Sequence, residues 1–471
     1  SRDKSSHLQR TNKSTDMASG NEWIAKKGEG NMTTLERTLG LRSVVLFGLA
    51  YMTPIIVLGI FGLTADLTFG ASAGAYSVAL IAMLLTAFSY GQLARVFPVA
   101  GSAYTYVRKS INDHLGFLVG WAILLDYLFL PMVIWLFGGL YLQAQFPSVP
   151  FAIWILLFIA LTTALNIIGF KVADKANFAL MAFQALVMIS FIGLCIAYVT
   201  GGDGLGTLFS VEPFYANTTT WTALTAGAAV SAYSFLGFDA ITTLTEETKD
   251  PKNTIPRAIM LVALIGGAIF IVTAYFTTLA KPGNEFEEVG SAAFEIAKMI
   301  GGAFFSSVFL AGLVVGQFAS GLAAQASASR LIFAMGRDGV LPKRLFAKLN
   351  DAYKTPVPAI IAVGVVGLLA LQTDIATSTS FISFGAFTAF TLVNISVIAY
   401  YLKNRSADKN ILGWVLIPIL GAIADAYLLM QLDDNAKRLG LIWLGIGVLI
   451  LVVITKGLRQ KPPAMSDPVS M

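Results

Sequence analysis

Charge is scarce in this sequence, and the scarcity decides its class. Of 471 residues only 13% are Asp, Glu, Lys or Arg. That is about half the share of a soluble globular domain, too little to cover a water-facing surface of this size. Cysteine occurs once, at Cys195 within an apolar run, which excludes an intrachain disulfide. The two histidines, His7 and His114, are too distant in sequence to suggest a metal site, and no zinc, haem or iron–sulfur spacing is present. No metal and no cofactor are expected. A phosphate-binding glycine loop, a Ser/His/Asp set and paired carboxylates in an aqueous segment are all missing. The loops are too short for an enzyme domain or an ATPase, so any transport energy must come from gradients. The polar stretch Ser1–Leu39 lacks the short apolar core of a cleavable signal peptide, and the first apolar run is expected to act as a retained insertion signal.

Apolar residues are what the chain has in abundance: 56% of the total, with a mean hydropathy of +0.73. Runs of about 20 residues suffice to cross a hydrocarbon core of about 30 Å. They predict an all-α polytopic membrane protein with twelve spans, at about 42–63, 74–96, 115–143, 151–168, 176–200, 221–244, 255–279, 303–326, 357–371, 380–402, 411–430 and 439–455. All but four of the 32 Lys and Arg residues fall in the N-terminal tail, the even-numbered loops and the C-terminus; the exceptions are Lys281, Lys298, Lys437 and Arg438. The positive-inside rule then places both termini in the cytoplasm. The basic balance is a topology signal, and no nucleic-acid partner is expected.

Two spans carry the signs of interrupted helices. Span one contains Tyr51-Met52-Thr53-Pro54, and Pro54 lacks a donor and clashes with the preceding turn, so the helix should open just before it. Span six contains Tyr233-Ser234-Phe235-Leu236-Gly237-Phe238-Asp239, in which Gly237 weakens the helix just before an intramembrane acid. Paired broken helices in the two halves of a chain are the mark of transporters built from inverted repeats. Three acids, Asp126, Asp239 and Asp425, lie within spans with no Lys or Arg at comparable depth. A charge there is costly and faces an aqueous cavity or a partner, which favours cation or proton handling. Asp239 can cap the amides freed at the break or exchange a proton with the cytoplasmic side. Asp126 and Tyr127 sit together in span three, the tyrosine offering a ring face for a cation and a hydroxyl. Tyr51, Tyr233, Phe235 and Phe238 flank the breaks, where aromatics serve as gates or as packing. Asp425 lies outside the expected core and reads as a polar contact at a scaffold or dimer interface.

At span six, Phe235-Leu236-Gly237-Phe238-Asp239-Ala240-Ile241-Thr242-Thr243-Leu244-Thr245-Glu246-Glu247-Thr248 resembles the amino acid–polyamine–organocation (APC) superfamily, and within it the bacterial putrescine importers. Gly101-Ser102-Ala103-Tyr104-Thr105-Tyr106, Leu124-Leu125-Asp126-Tyr127-Leu128-Phe129 and Ser329-Arg330-Leu331 with Met335-Gly336-Arg337-Asp338 extend the likeness over essentially all spans. The resemblance implies a LeuT-type fold with a 5+5 inverted repeat, substrate bound among spans one, three, six and eight, and proton-coupled or exchange transport. It implies that Tyr127 takes part in amine recognition, that Tyr233 is an aromatic gate and that Asp239 is the acid following the span-six break. Two departures stand out. The importers carry an aspartate in span one where this chain has Gly59, and a lysine found in span five of some cationic amino acid members is replaced here by about Gln184.

These observations together predict a cytoplasmic tail at 1–40, a transport core at 41–402 with repeats 41–200 and 221–402, spans eleven and twelve within 403–456, and a second cytoplasmic tail at 457–471. The expected function is secondary, proton-coupled import of small amines, putrescine first, across the cell (inner) membrane by alternating access. A neutral or aromatic amino acid permease or exchanger is the alternative, and no enzyme activity is expected. The expected substrate-binding residues are Tyr51, Met52, Thr53, Pro54, Asp126, Tyr127, Tyr233, Phe235, Gly237 and Phe238, with Asp239 and Tyr233 for proton coupling or gating. Partners are the amine or amino acid, protons and the lipid bilayer, with a homo-oligomer left open.

Overall fold

The computed structural model describes residues 37–99, 102–170, 174–337, 339–406 and 409–463. Most of the N-terminal tail, the end of the C-terminal tail, and Gly101 and Asp338 of the resembling stretches lie outside the described residues. The chain runs through α1 (Leu41–Met52), α2 (Ile56–Gly59), α3 (Phe61–Thr68), α4 (Ser72–Val96), a short α5 (Ala103–Ser110), α6 (Asp113–Gln145), α7 (Phe151–Ile167) and α8 (Asp174–Thr200). It continues with α9 (Trp221–Ser231), 3-10 segments at Ala232–Phe235 and Phe238–Glu246, α10 (Pro251–Ala280) and α11 (Ala292–Arg337). The last elements are α12 (Lys343–Phe346), α13 (Val357–Gly367), α14 (Ile375–Lys403), α15 (Ile417–Met430) and α16 (Asp434–Ile454). Among the described residues there is no strand, only an isolated bridge between Leu39 and Thr248.

Ten helices among the described residues are long and apolar enough to cross a membrane. Helices satisfy their own backbone polar groups, which hydrocarbon cannot do for them. The outermost ones are apolar on faces that no protein covers: Phe178 on α8 is 73% exposed and Val453 on α16 is 76% exposed. Such surfaces belong against lipid, and the chain is a multi-pass membrane protein. Two predicted spans are shorter than the rest. The helix α7 has 17 residues, roughly 26 Å at 1.5 Å per residue, and α13 has 11, followed by a four-residue 3-10 turn, Leu368–Leu371. The segment Ala292–Arg337 is two helices meeting at Gly302, whose backbone leaves the helical conformation (φ 68°, ψ -169°), so the predicted start at 303 falls at a real break while the C-terminal end runs past the predicted 326 to Arg337.

The helix starts are fixed by side-chain caps that satisfy otherwise orphaned amides. Asn112 accepts from Leu115 N at 2.8 Å, Asp374 from Thr377 N at 2.7 Å, and Asp433 from Ala436 N at 3.0 Å. The segment Trp221–Thr245 is the most enclosed of the spans and Asp434–Ile454 the least, so the interrupted region sits in the middle of the bundle. The entry to α1 is tied to the far end of that region by two backbone bonds. Leu39 N donates to Glu247 O (3.0 Å) and Lys249 N donates to Leu39 O (2.8 Å).

Candidate functional site

Both helices expected to break do leave the helical conformation at the marked residues. The first, α1, ends at Met52, and Thr53 takes a left-handed conformation (φ 49°) immediately before Pro54. A non-glycine residue there costs on the order of 1–2 kcal/mol, so the break is held by its surroundings. The second interruption passes from the 3-10 turn Ala232–Phe235 through an extended Leu236 (ψ 130°) to Gly237 at φ 106°. Gly237 is required twice over. Its φ disfavours any side chain, and a Cβ there would lie 2.3 Å from Tyr51 Cδ1. The two breaks therefore touch, with the Tyr51 ring laid against the Gly237 backbone.

Aromatic anchors hold the second break to its neighbours. Tyr76 on α4 shares a 2.9 Å hydrogen bond with Ser234. Phe235 packs edge-on against Phe270 of α10 (centroids 5.1 Å apart). Phe238 is wedged between Tyr90 of α4 (5.9 Å) and Phe390 of α14 (5.4 Å). Phe235 and Phe238 are fully buried and pack around the break, and they line neither of the cavities described below.

A cavity of about 80 Å³ lies between the two breaks. Tyr51, Met52 and Thr53 line it from α1, Asp126 from α6, and Tyr233 and Gly237 from the second break. Asp126 Oδ1 is buried in this space without a hydrogen-bond partner. No Lys or Arg lines the cavity. An unpaired buried acceptor costs about 1–3 kcal/mol, more when charged, so the site is built to receive a donor. Asp126 also lies within electrostatic reach of Tyr51, Tyr233 and Asp239. Asp239 itself is in neither cavity; it lies at the head of the Phe238–Glu246 segment.

The small cavity adjoins a larger one of about 510 Å³, with which it shares Tyr51, Thr53, Gln184 and Ser320. Pro54 and Tyr127 line this outer space, which reaches Leu46, Leu180 and Ser327 at the end of the bundle where α1 begins and α11 ends. At the opposite end the Tyr141 hydroxyl donates to Leu58 O at 3.0 Å, and Phe137 packs on Tyr233. Gln184 of α8 and Gln317 and Ser320 of α11 line the inner cavity but were not among the expected site residues. Their signal was visible as lone amides and a hydroxyl in apolar runs. Gly59 lies outside both cavities, and a Cβ there would meet Ile56 at 3.3 Å and Phe137 at 4.0 Å.

Comparison with known proteins gives consistent matches over most of the chain. The family model described as amino acid permease matches residues 39–461. The low-affinity putrescine importer PlaP of Escherichia coli (strain K12) is 40% identical over 437 residues, which cover 92% of this chain and 97% of that protein. More distant relatives include the branched-chain amino acid permease BcaP of Bacillus subtilis (strain 168), 25% identical, and a methylthioribose transporter of the same organism, 26% identical. In each case 90% of this chain aligns with 94% of the relative.

Proposed function

The chain belongs to the amino acid permease family, and from that premise we propose that it is a secondary active importer of small amines, putrescine being the substrate that fits best. The unpartnered Asp126 oxygen in a cavity without Lys or Arg carries this proposal. An ammonium group supplies the missing donor and the compensating charge in one contact, and charge-assisted hydrogen bonds are the strong ones. The rings of Tyr51 and Tyr233 flank the same space, and Tyr127 lines the path leading to it; aromatic faces attract a desolvated cation. An amino acid brings a carboxylate as well, for which no cationic side chain lines the cavity. The relatedness to PlaP, whose name describes a putrescine importer, points the same way. The second candidate, a neutral or aromatic amino acid permease or exchanger, draws on the 25% identity to BcaP.

In the proposed architecture α7 and α13 complete a set of twelve spans, with a LeuT-type 5+5 inverted repeat whose first helices are the two interrupted ones. The positive-inside rule puts both termini, and with them the mouth of the larger cavity, on the cytoplasmic side of the cell membrane. The described conformation is then the inward-open one, closed outside by Tyr141 and by Phe137 on Tyr233. Asp239 takes and releases the coupled proton. It stands at the head of the Phe238–Glu246 segment, beside the second break.

The test is uptake by vesicles reconstituted with the full chain, using labelled putrescine and a panel of amino acids, with and without an inward proton gradient. Saturable putrescine uptake that the gradient accelerates is expected. Saturable uptake of an amino acid that putrescine does not compete would overturn the amine assignment in favour of the second candidate.

A further inference from the structure

Away from the transport cavities, a groove of about 390 Å³ opens between α4 and α10 at the base of α1. Its walls are apolar, formed by Leu41, Phe88, Met260 and Leu261, and its lip carries two guanidinium groups, Arg95 and Arg257. No acidic side chain lines it. Three other cations near the bundle ends are paired: Arg108 bridges Asp113 at 2.7 Å, Lys281 reaches Glu295 at 3.5 Å and Lys437 reaches Asp434 at 2.9 Å. Among the described residues Arg95 and Arg257 have no acceptor at all.

We propose that this groove is a binding site for an anionic phospholipid of the surrounding leaflet, its phosphate held between Arg95 and Arg257 and an acyl chain laid along Phe88, Met260 and Leu261. Guanidinium forks match phosphate oxygens in geometry and charge. Basic pockets between membrane helices at the interface are where such headgroups bind. The apolar walls suit a tail, which a free anion lacks. The transported amine is a cation and is repelled by both arginines, so the groove is no second substrate site. Because Leu41 is both a wall of the groove and the first residue of α1, a bound lipid touches the interrupted helix where it enters the bundle. It thereby links the leaflet's composition to the freedom of that helix.

The experiment is native mass spectrometry of the purified full chain, titrated with phosphatidylglycerol or phosphatidylcholine of identical acyl chains. One phosphatidylglycerol should be retained with at least tenfold preference. The R95Q/R257Q double variant should lose that preference and R95K/R257K should keep part of it. Melting curves of each variant report whether it is folded, and the preference of the unmodified chain is a test that needs no variant. Equal retention of the two lipids by the unmodified chain would overturn the proposal. So would undiminished preference in a folded R95Q/R257Q, or displacement of the lipid by an equal concentration of glycerol phosphate.

Discussion

Trp121 and Trp443 hold each other by a reciprocal pair of hydrogen bonds. Each indole Nε1–H donates to the backbone carbonyl of the other residue at 2.8 Å, and the rings stack 4.8 Å apart with planes 18° from parallel. An indole N–H inside a membrane has no water to bond, so the pairing satisfies both donors at once. It joins α6, which carries Asp126, to the outermost helix α16, and Phe129 closes the cluster against Trp443 and Phe381. The acid of the small cavity thus projects from a helix that is pinned from behind.

Trp443→Phe keeps most of the stack and removes one of the two bonds. A loss of about 1 kcal/mol is expected, lowering the melting temperature by a few degrees. Trp443→Ala removes the stack as well and should cost about 3–5 kcal/mol, with a rise in KM for the amine as α6 loses its support. Thermal melting in detergent and uptake kinetics check both. An alanine variant that melts like the parent chain would show that the clasp contributes nothing.

Asp126→Asn keeps the shape of the side chain and removes the charge that faces the cavity. Hydrogen bonds to charged groups are worth about 1.5–3 kcal/mol, so KM for putrescine should rise roughly tenfold to a hundredfold. The effect on a neutral amino acid, if one is transported, should be small. Initial rates over a range of concentrations measure this, and an unchanged KM would remove Asp126 from the list of amine ligands.

Asp239→Asn should separate coupling from binding. Uptake driven by an inward proton gradient is expected to fall to the ungraded rate, while exchange of internal for external amine continues, since the Asn side chain keeps the shape at the head of the half-helix. Vesicles loaded with unlabelled putrescine, assayed with and without the gradient, distinguish the two activities. Gradient-driven accumulation at the parent level would leave Asp239 as a helix cap only.

The interrupted helices were legible in the sequence because their causes are local. Pro54 removes an amide, and Gly237 frees a backbone angle, whatever lies around them. The aromatic residues were not legible to the same degree. Phe235 and Phe238 are buried against Phe270, Tyr90 and Phe390, partners drawn from three other helices that no single segment reveals. Gln184 and Gln317 were visible only as single amides in long apolar runs, and it takes the packed bundle to bring them to one cavity. The span boundaries followed hydropathy, so the predicted start at 303 falls at the Gly302 break and only the C-terminal end of α11 outruns its predicted bound, to Arg337.

Gly237→Ala should be severe although it adds one methyl group. The new Cβ would stand 2.3 Å from Tyr51 Cδ1 and would also impose a side chain at φ 106°. Loss of uptake is expected, with a lowered melting temperature. Combining it with Tyr51→Ala relieves only the first conflict, so the pair should remain impaired. Full recovery in the double variant would mean that contact alone, and not backbone conformation, demands the glycine.

Asp425 poses a different problem, because it is completely buried between α4, α14 and α15. Its Oδ2 accepts from Thr86 Oγ1 at 2.6 Å and from Asn394 Nδ2 at 3.0 Å, and Ser89 donates in turn to Asn394 Oδ1 at 2.5 Å. Oδ1 has no partner, and no Lys or Arg joins the cluster. A bare charge would be costly in such a place, whereas a carboxylic acid that carries its proton on Oδ1 leaves both accepted bonds intact. Asn can imitate that neutral acid, with its oxygen in the Oδ2 position. Asp425→Asn should therefore fold and transport nearly as well as the parent chain, whereas Asp425→Ala strands the Thr86 hydroxyl, Asn394 Nδ2 keeping Phe390 O (3.1 Å), and should cost about 1–3 kcal/mol. If Asp425→Asn instead abolishes uptake while melting normally, the residue works through its charge or its proton, and the scaffold role assigned to this cluster is wrong.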